Sequence, residues 1–311
     1  SLAVSAFAAN TTARRATDFR DFDKSAWYAE AVSAAVDNGL LYGKSSTTLD
    51  PNGDMTRAEM AAIINRSFGC YKAADISQYK DVSKDKWYYK DIALAAQMGT
   101  YNGRSSSAMA PDAPISRQEA MTVVARALEL DYDSYSKTDL SAFSDRSDIS
   151  NWALPYVRAM VGADYIHGRG KILAPQEHIT RSEFAQIFHN IIGSYITVKG
   201  IYDKDIKGSV LIRTDDVTFK DMTVDGDLIV GCGAADGKIV LDNVTVKGRL
   251  LVWGGGTKAV YCNNGTNTPE VIAARVDDAV KIIFDRDSTL AVIDTIKTRI
   301  TERAKQHKET E

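Results

Sequence analysis

A four-residue segment that occurs three times constrains the fold of this chain more than any other feature of its sequence. The copies are Thr56-Arg57-Ala58-Glu59, Ser116-Arg117-Gln118-Glu119 and Thr180-Arg181-Ser182-Glu183. In each copy a hydroxyl residue precedes a glutamate by three positions and an apolar run follows, which is the capping-box pattern of a helix N-terminus. An arginine occupies the first helical position every time, where neither capping nor core packing requires one. The three arginines are therefore candidates for a binding role.

Four further residue types recur with the same period: an aspartate, a tryptophan, a glycine and a proline. They are Asp21, Asp81 and Asp145; Trp27, Trp87 and Trp152; Gly43, Gly103 and Gly168; and Pro51, Pro111 and Pro175. Successive copies are 60 and then 64 or 65 residues apart. A period of this length indicates supersecondary units that pack together, because one unit buries too little apolar surface alone. We therefore expect three units to share one core.

Each unit is predicted to be a helical hairpin. In the first unit the apolar residues between Trp27 and Asn38 have the spacing of an amphipathic helix. Gly39 is suited to end this helix in a left-handed conformation. A long loop follows, and a second helix with its own apolar stripe begins after Thr56.

The order Asp, Trp, Gly, Pro and Thr-Arg-Ala-Glu resembles the S-layer homology (SLH) motif, in three tandem copies over residues 18–193 (about 18–72, 78–130 and 142–193). The resemblance implies a pseudo-threefold helical bundle that holds exported proteins to the cell envelope without a covalent bond. It also implies a secondary cell-wall polysaccharide as ligand, often one with pyruvate ketals. Carried over by position, it implies that Arg57, Arg117 and Arg181 bind the anion and that Gly43, Gly103 and Gly168 let the loops approach the ligand.

The residues themselves provide a mechanism for such binding, and each type also has a structural alternative. An arginine beside the free amides of a helix N-terminus makes an anion site. The three tryptophans could offer flat surfaces to a sugar ring, and the three aspartates could accept hydrogen bonds from hydroxyl groups. Alternatively, the arginines form ion pairs between hairpins, the tryptophans lie in the core, and the aspartates cap the first helix or brace the loop.

The three copies are not equivalent. The third has Asp164 where the others have Gly39 and Gly99, and it has His167 before Gly168. We therefore expect grooves between neighbouring copies to differ in affinity, with the third copy the weakest.

After residue 193 the sequence pattern changes to that of β-strands. Apolar and polar residues alternate from Val217 to Val230, and the pattern repeats from Ile239 to Val252 at an offset of 22. A repeat of this length with Gly, Asn and Asp corners predicts a parallel β-helix over residues 195–293. The alternative is a β-sandwich of hairpins with a tight turn at Ala235-Asp236-Gly237. The predicted fold class is thus α+β multidomain: an SLH helical bundle, then an all-β segment, with a polar tail at residues 294–311.

The β segment also raises the possibility of an enzyme, since its carboxylates could act as acid and base in a carbohydrate-active β-helix. The residues concerned are Asp221, Asp225, Asp227 and Asp242, with Lys220, Lys247 and Arg249 as basic partners. They occupy solvent-facing positions and corners, where charged residues belong in any case. We therefore expect a protein that is not an enzyme and that has no cofactor and no metal.

Composition and the N-terminus limit the partners. With 38 basic and 41 acidic residues the net charge is −3, which gives no electrostatic reason to expect nucleic acid or an anionic membrane as partner. No stretch approaches the roughly 18 apolar residues of a membrane span. Residues 1–17 begin with small apolar residues and an Ala6-Phe7-Ala8 pattern that resembles the end of an export signal; the alternative is a frayed terminus. We expect a secreted envelope protein that binds cell-wall polysaccharide or peptidoglycan and can self-associate in a surface layer.

The three cysteines are too few for a disulfide framework. They are Cys70, Cys232 and Cys262. At most one pair, between Cys232 and Cys262, could form, and three unpaired thiols are favoured.

Overall fold

The computed structural model describes residues 14–68, 73–231, 234, 237–254, 260–274 and 281–295. Within these ranges the chain has a helical part followed directly by a parallel β-solenoid. The helices are α1 Ala29–Asp37, α2 Arg57–Ser67, α3 Tyr89–Gln97, α4 Arg117–Ala127, α5 Leu154–Gly162 and α6 Arg181–Ile191. They confirm the predicted order of helix, loop and helix in each of the three repeats. None of the described helices is long and apolar enough to cross a membrane.

The predicted helix ends are confirmed in all three hairpins. Helix α2 starts with a complete capping box, in which the Glu59 amide donates to Thr56 Oγ1 at 3.2 Å and the Thr56 amide donates to Glu59 Oε2 at 3.0 Å. Helices α4 and α6 start in the same way. The first helix of each hairpin is followed by a left-handed residue, at Gly39 (φ 66°), Gly99 (φ 67°) and Asp164 (φ 63°). Asp164 therefore takes the same conformation as the two glycines.

A closed ring of backbone hydrogen bonds joins the three repeats. The Met55 amide donates to the Ile179 carbonyl at 3.0 Å, Ile115 donates to Met55 at 2.9 Å, and Ile179 donates to Ile115 at 3.1 Å. All three side chains are fully buried. The helices also pack between repeats rather than within them, α2 on α3, α4 on α5 and α6 on α1. The repeats thus form a pseudo-threefold ring with one core.

The solenoid follows α6 without a linker. Its strands are β1 Ile192–Ile196, β2 Gly200–Tyr202, β3 Ser209–Ile212, β4 Val217–Val224, β5 Leu228–Val230, β6 Ile239–Val246, β7 Arg249–Val252, β8 Val260–Asn263, β9 Asn267–Ala273, β10 Ile282–Phe284 and β11 Thr289–Thr295. The odd-numbered strands stack on one another and so do the even-numbered strands, and a single pairing of Thr245 in β6 with Asn267 in β9 links the two sets. Every pair between strands of the described chain is parallel. Val217 lies opposite Ile239, which confirms the offset of 22.

The parallel pairing excludes the β-sandwich alternative. Ala235 and Asp236 of the proposed hairpin turn lie outside the described residues. The tail was predicted to begin at residue 294, but β11 continues to Thr295; residues 296–311 are outside the described ranges, as are residues 1–13, Cys70 and Cys232. Cys262 is a free, buried thiol, and burial raises its pKa to about 12.

One face of the solenoid packs against the helical ring. Along β5 the side chain of Ile229 joins the core of the helices, while Leu228 and Val230 point into the solenoid core. The indole Nε1 of Trp253 donates to the carbonyl of Ala127 at 2.9 Å across this interface. Strands buried on both faces are apolar at consecutive positions rather than alternating. This double burial explains why β5 and β7 lack the alternation that β4 and β6 show.

Candidate functional site

Each repeated arginine reaches from its own repeat into the next. Arg57, at the start of α2, donates from Nη1 to Oε1 of Glu119 at 2.8 Å. Its Nε and Nη2 donate to the carbonyls of Met109 and Asn102, both at 2.9 Å. The residue is only 4% exposed. The guanidinium therefore joins repeats 1 and 2 through the glutamate of the second capping box.

The other two junctions have the same arrangement. Nη1 of Arg117 lies 2.8 Å from Oε1 of Glu183, and Nη1 of Arg181 lies 3.7 Å from Oε1 of Glu59, which closes the circle from repeat 3 to repeat 1. Both arginines also donate from Nε to a backbone carbonyl of the next repeat, at Leu173 (2.8 Å) and Leu49 (3.0 Å). The ion pair between hairpins, one of the two alternatives for these residues, is thus present in the structure. A direct role in ligand binding stays a prediction.

The expectation of free amides at the starts of α2, α4 and α6 is wrong. The amides of Arg57 and Ala58 donate to the carbonyls of Ala113 (3.0 Å) and Pro111 (2.9 Å) in the next repeat. At the start of α4, the amides of Arg117 and Gln118 donate to the carbonyls of Glu177 and Pro175. At the start of α6, the amides of Arg181 and Ser182 donate to the carbonyls of Gly53 and Pro51. The loop of the neighbouring repeat covers each helix start, so the first two amides of the helix are not available to an external anion.

A second basic residue lies at every junction, and the sequence analysis missed it. The residues concerned directly follow the repeated glycines and are Lys44, Arg104 and Arg169. Each contacts the capping-box glutamate of its own repeat, and their side chains are 35%, 43% and 37% exposed. A basic residue after each repeated glycine was the sequence signal that could have revealed them. Every junction therefore holds one glutamate between a buried arginine and an exposed cation.

The electrostatics of these glutamates follow from their contacts. Burial alone would raise the pKa of Glu183. Hydrogen bonds from Arg169 and from the Thr180 amide, together with the charge of Arg117, outweigh burial, so the pKa lies below its ordinary value of 4.5. The pKa values of the equivalent glutamates of the other capping boxes are lowered in the same way. All three carboxylates are therefore held as anions.

The three aspartates brace the loops. Asp21 accepts hydrogen bonds from the amides of Leu49 at 2.8 Å and Asp50 at 2.7 Å. Asp81 and Asp145 accept from two consecutive amides in the same way. Asp50 has a left-handed backbone (φ 57°), which the two bonds hold in place. Since the carbonyl of Leu49 accepts from Arg181, each aspartate fixes the loop that receives the arginine of the preceding repeat.

The tryptophans lie on the surface, which excludes the core alternative for them. Trp27, Trp87 and Trp152 are 64%, 61% and 40% exposed. Trp27 and Trp87 each pack edge to face against the tyrosine that follows, with ring centroids 5.6 and 5.4 Å apart. It is the tyrosine that is buried. The tryptophan rings thus remain accessible to a sugar.

The repeated glycines are required by packing inside each loop. A Cβ on Gly43 would lie 2.3 Å from the ring of Phe19, and one on Gly103 would lie 2.5 Å from the ring of Tyr79. Gly168 lies against an aromatic ring in the same way and also has a left-handed backbone (φ 74°). The close contact places the following basic residue at the junction. Whether a ligand also uses the space stays a prediction.

The carboxylates of the solenoid pair with residues one coil further along the chain. Asp227 forms a buried ion pair with Arg249 at 2.6 Å, and Asp221 accepts from Asn243 Nδ2 at 2.8 Å. Asp225 contacts Lys247 and Asp242 contacts Asn264 in the same manner. These are stacking contacts between successive coils.

Comparison with known proteins agrees with this geometry. The S-layer homology domain model matches residues 18–61, 78–121 and 142–185. A surface-layer 125 kDa protein of Lysinibacillus sphaericus is 35% identical over 182 residues, which cover 57% of this chain and 15% of that protein. The exoglucanase XynX of Acetivibrio thermocellus is 27% identical over 182 residues (58% of this chain, 16% of that protein), and a cell surface protein of Thermoanaerobacter kivui is 25% identical over 284 residues (88% and 34%).

The chain thus contains three tandem S-layer homology domains followed by a parallel β-solenoid. It spans about a sixth of the length of the first two of these relatives. The three domains indicate a cell-surface protein that is anchored through them.

Proposed function

We propose that the helical ring binds an anionic polysaccharide of the cell wall and so anchors the chain without a covalent bond. The observation that carries this proposal is the cationic pair at each junction between repeats. At each junction a buried arginine and an exposed basic residue share the capping-box glutamate. Between repeats 1 and 2, the two cations Arg57 and Arg104 outnumber the one anion, Glu119, where Arg104 reaches solvent. A carboxylate on a sugar, such as that of a pyruvate ketal, is the complementary group.

The two cations have different roles in this proposal. Arg57 is held by three hydrogen bonds, so it supplies a fixed positive charge rather than a direct contact. Arg104 contacts Glu119 from the solvent side, and among the described residues its Nη1 has no hydrogen-bond partner. That Nη1 is free to donate to a ligand carboxylate. The exposed Trp87 offers an apolar face for the sugar ring.

The solenoid has a displaying rather than a catalytic role in this proposal. Its candidate acid and base residues are engaged between coils, and the most buried of them, Asp227, is neutralised by Arg249. A carboxylate in a fixed ion pair is poorly placed to exchange protons with a substrate.

The test is co-sedimentation of the full chain with purified cell-wall sacculi, before and after the secondary polysaccharide is stripped. The triple variant Lys44→Ala/Arg104→Ala/Arg169→Ala removes the exposed cations and leaves the buried arginines in place. A control triple, Lys24→Ala/Lys84→Ala/Lys90→Ala, makes the same change in charge at exposed residues that do not line the junctions.

We expect binding to be lost on stripping and in the junction triple but kept in the control. Binding that survives stripping would assign the ligand to peptidoglycan itself. Equal binding by the two triple variants would contradict the junction sites.

A further inference from the structure

The junction between repeats 2 and 3 contains a carboxylate, Glu177, at a position where the other two junctions have glycine and alanine. We propose that the carboxylate of Glu177 occupies this anion site from within the chain, so that the module has two working polysaccharide sites rather than three. The inference rests on the proposed function, since it assigns occupancy to the same junctions.

The contacts of Arg169 show the occupation. Its Nε and Nη2 donate to the carboxylate of Glu183 at 2.6 and 3.0 Å, and its Nη1 contacts Oε2 of Glu177. Both hydrogen-bonding edges of this guanidinium therefore face carboxylates. At the junction of repeats 1 and 2, the equivalent Arg104 has one carboxylate partner, Glu119. The Nη1 group that would bind a ligand carboxylate is therefore available on Arg104, between repeats 1 and 2, and occupied by Glu177 on Arg169, between repeats 2 and 3.

The position of Glu177 is equivalent in all three repeats, but only the third has a carboxylate there. Its backbone carbonyl accepts from the Arg117 amide at 2.8 Å, as Gly53 does from Arg181 (3.1 Å) and Ala113 does from Arg57 (3.0 Å). Repeats 1 and 2 thus have glycine and alanine where repeat 3 has glutamate. The internal carboxylate is a property of the third repeat and not of the fold.

The charge balance changes accordingly. In ion pairs within 4 Å, two cations face one carboxylate at the junction of repeats 1 and 2 and at the junction of repeats 3 and 1. At the latter junction the charges of Asp50 and Asp21 also act on Arg181 from a greater distance. At the junction of repeats 2 and 3, Arg117 and Arg169 face two carboxylates, Glu183 and Glu177. The hydrogen bonds to Glu183 and Glu177 also raise the pKa of Arg169. An external anion gains least at this junction.

Space for a ligand is nevertheless present. An open surface pocket of about 470 Å³ adjoins Arg169 and Glu177; it is lined by these two residues, by Gln176, His178 and Thr180 of repeat 3, and by Asp54 of repeat 1. The side chain of Glu177 is 60% exposed, so it can be shortened without opening the core. What is missing from this junction is a free cation and not volume.

The test is isothermal titration of the full chain with a methyl glycoside that bears a pyruvate ketal. Four variants are compared with the wild type. The first is Glu177→Ala and the second is the double variant Lys44→Ala/Arg104→Ala. The third adds Glu177→Ala to the double variant, and the fourth adds Arg169→Ala to the third. Alanine is the residue that repeat 2 has at this position, and it keeps the backbone carbonyl that accepts from Arg117. Gln176→Ala, which alters the same pocket but retains Glu177, is the matched control.

We expect the wild type to bind two equivalents and Glu177→Ala three. The double variant should lose binding, Glu177→Ala should restore one site to it, and Arg169→Ala should remove that site again. Three sites in the wild type, or no additional site in Glu177→Ala, would overturn the occupation of the junction by Glu177 while leaving the polysaccharide proposal intact. If neither the wild type nor Glu177→Ala binds the glycoside, the proposed function and the inference are both overturned.

Discussion

Arg57→Met removes the buried cation that joins repeat 1 to repeat 2 and keeps much of its apolar volume. The carbonyls of Met109 and Asn102 then lose their donor, and Glu119 loses one of its two arginines. Breaking a buried ion pair costs about 3–5 kcal/mol. Because Arg104 and the Ser116 amide still bind Glu119, we place the loss of unfolding free energy at the lower end, about 3 kcal/mol.

The assay is urea and thermal unfolding of the full chain, followed by circular dichroism and tryptophan fluorescence. For a cooperative unit of 150–250 residues, a loss of about 3 kcal/mol lowers the melting temperature by roughly 6–12 °C. Arg104→Met is the matched control, since it removes the exposed partner of the same carboxylate and should cost less than about 1 kcal/mol.

A double-mutant cycle with Glu119→Gln tests the pairing itself. The combined variant should be less destabilised than the sum of the single variants by about 1–3 kcal/mol, because the two residues are in direct contact. If Arg57→Met costs no more than Arg104→Met, or if the cycle is additive, the buried arginines do not hold the repeats together.

Three further predictions concern other parts of the molecule. Gly168→Ala should lower the free energy of unfolding by about 3 kcal/mol and Gly170→Ala by about 1 kcal/mol, as measured in a thermal melt. Both glycines have left-handed backbones, but only at Gly168 does a carbonyl oxygen lie 2.7 Å from the new Cβ. Trp253→Phe leaves the buried Ala127 carbonyl without its donor, which should cost about 1–3 kcal/mol and speed limited proteolysis at the interface; unchanged cleavage would contradict this. Since the folded pKa of Glu183 lies below 4.5, its stabilisation is complete above pH 4.5 and is lost as the pH falls below that value; Glu183→Gln should flatten the acid limb of the stability profile.

Local features of the fold could be predicted from the sequence, whereas the partners in contacts between repeats could not. The capping box at Thr56 and the left-handed Gly39 depend on residues a few positions away, so their pattern is visible in the chain. The partner of Arg57 is 62 residues further on, and its identity depends on the ring being closed. The free helix amides were predicted wrongly for the same reason, since the loop that covers them belongs to another repeat.

The orientation of adjacent aromatic residues was also beyond the sequence pattern. Trp27 and Tyr28 stand side by side before α1, and the rotation of the helix decides which one is buried. In the solenoid, alternation predicted the coils, and the apolar runs Leu228–Val230 and Leu250–Val252 contained a further signal that was not used. An apolar run in an otherwise alternating pattern indicates a strand covered on both faces, and so predicts the face that packs on the helices.

The ring of Met55, Ile115 and Ile179 has no free end, since each residue is already linked on both sides. A fourth repeat could enter only by breaking one of the three links, so we expect duplication of a repeat to disrupt the ring. The described coils of the solenoid, by contrast, stack in sequence and do not close into a ring. A duplicated segment of 22 residues beyond the coils that pack on the helices would add one coil and lengthen the solenoid by about 4.8 Å. The length of the solenoid can therefore vary independently of the closed ring of three repeats.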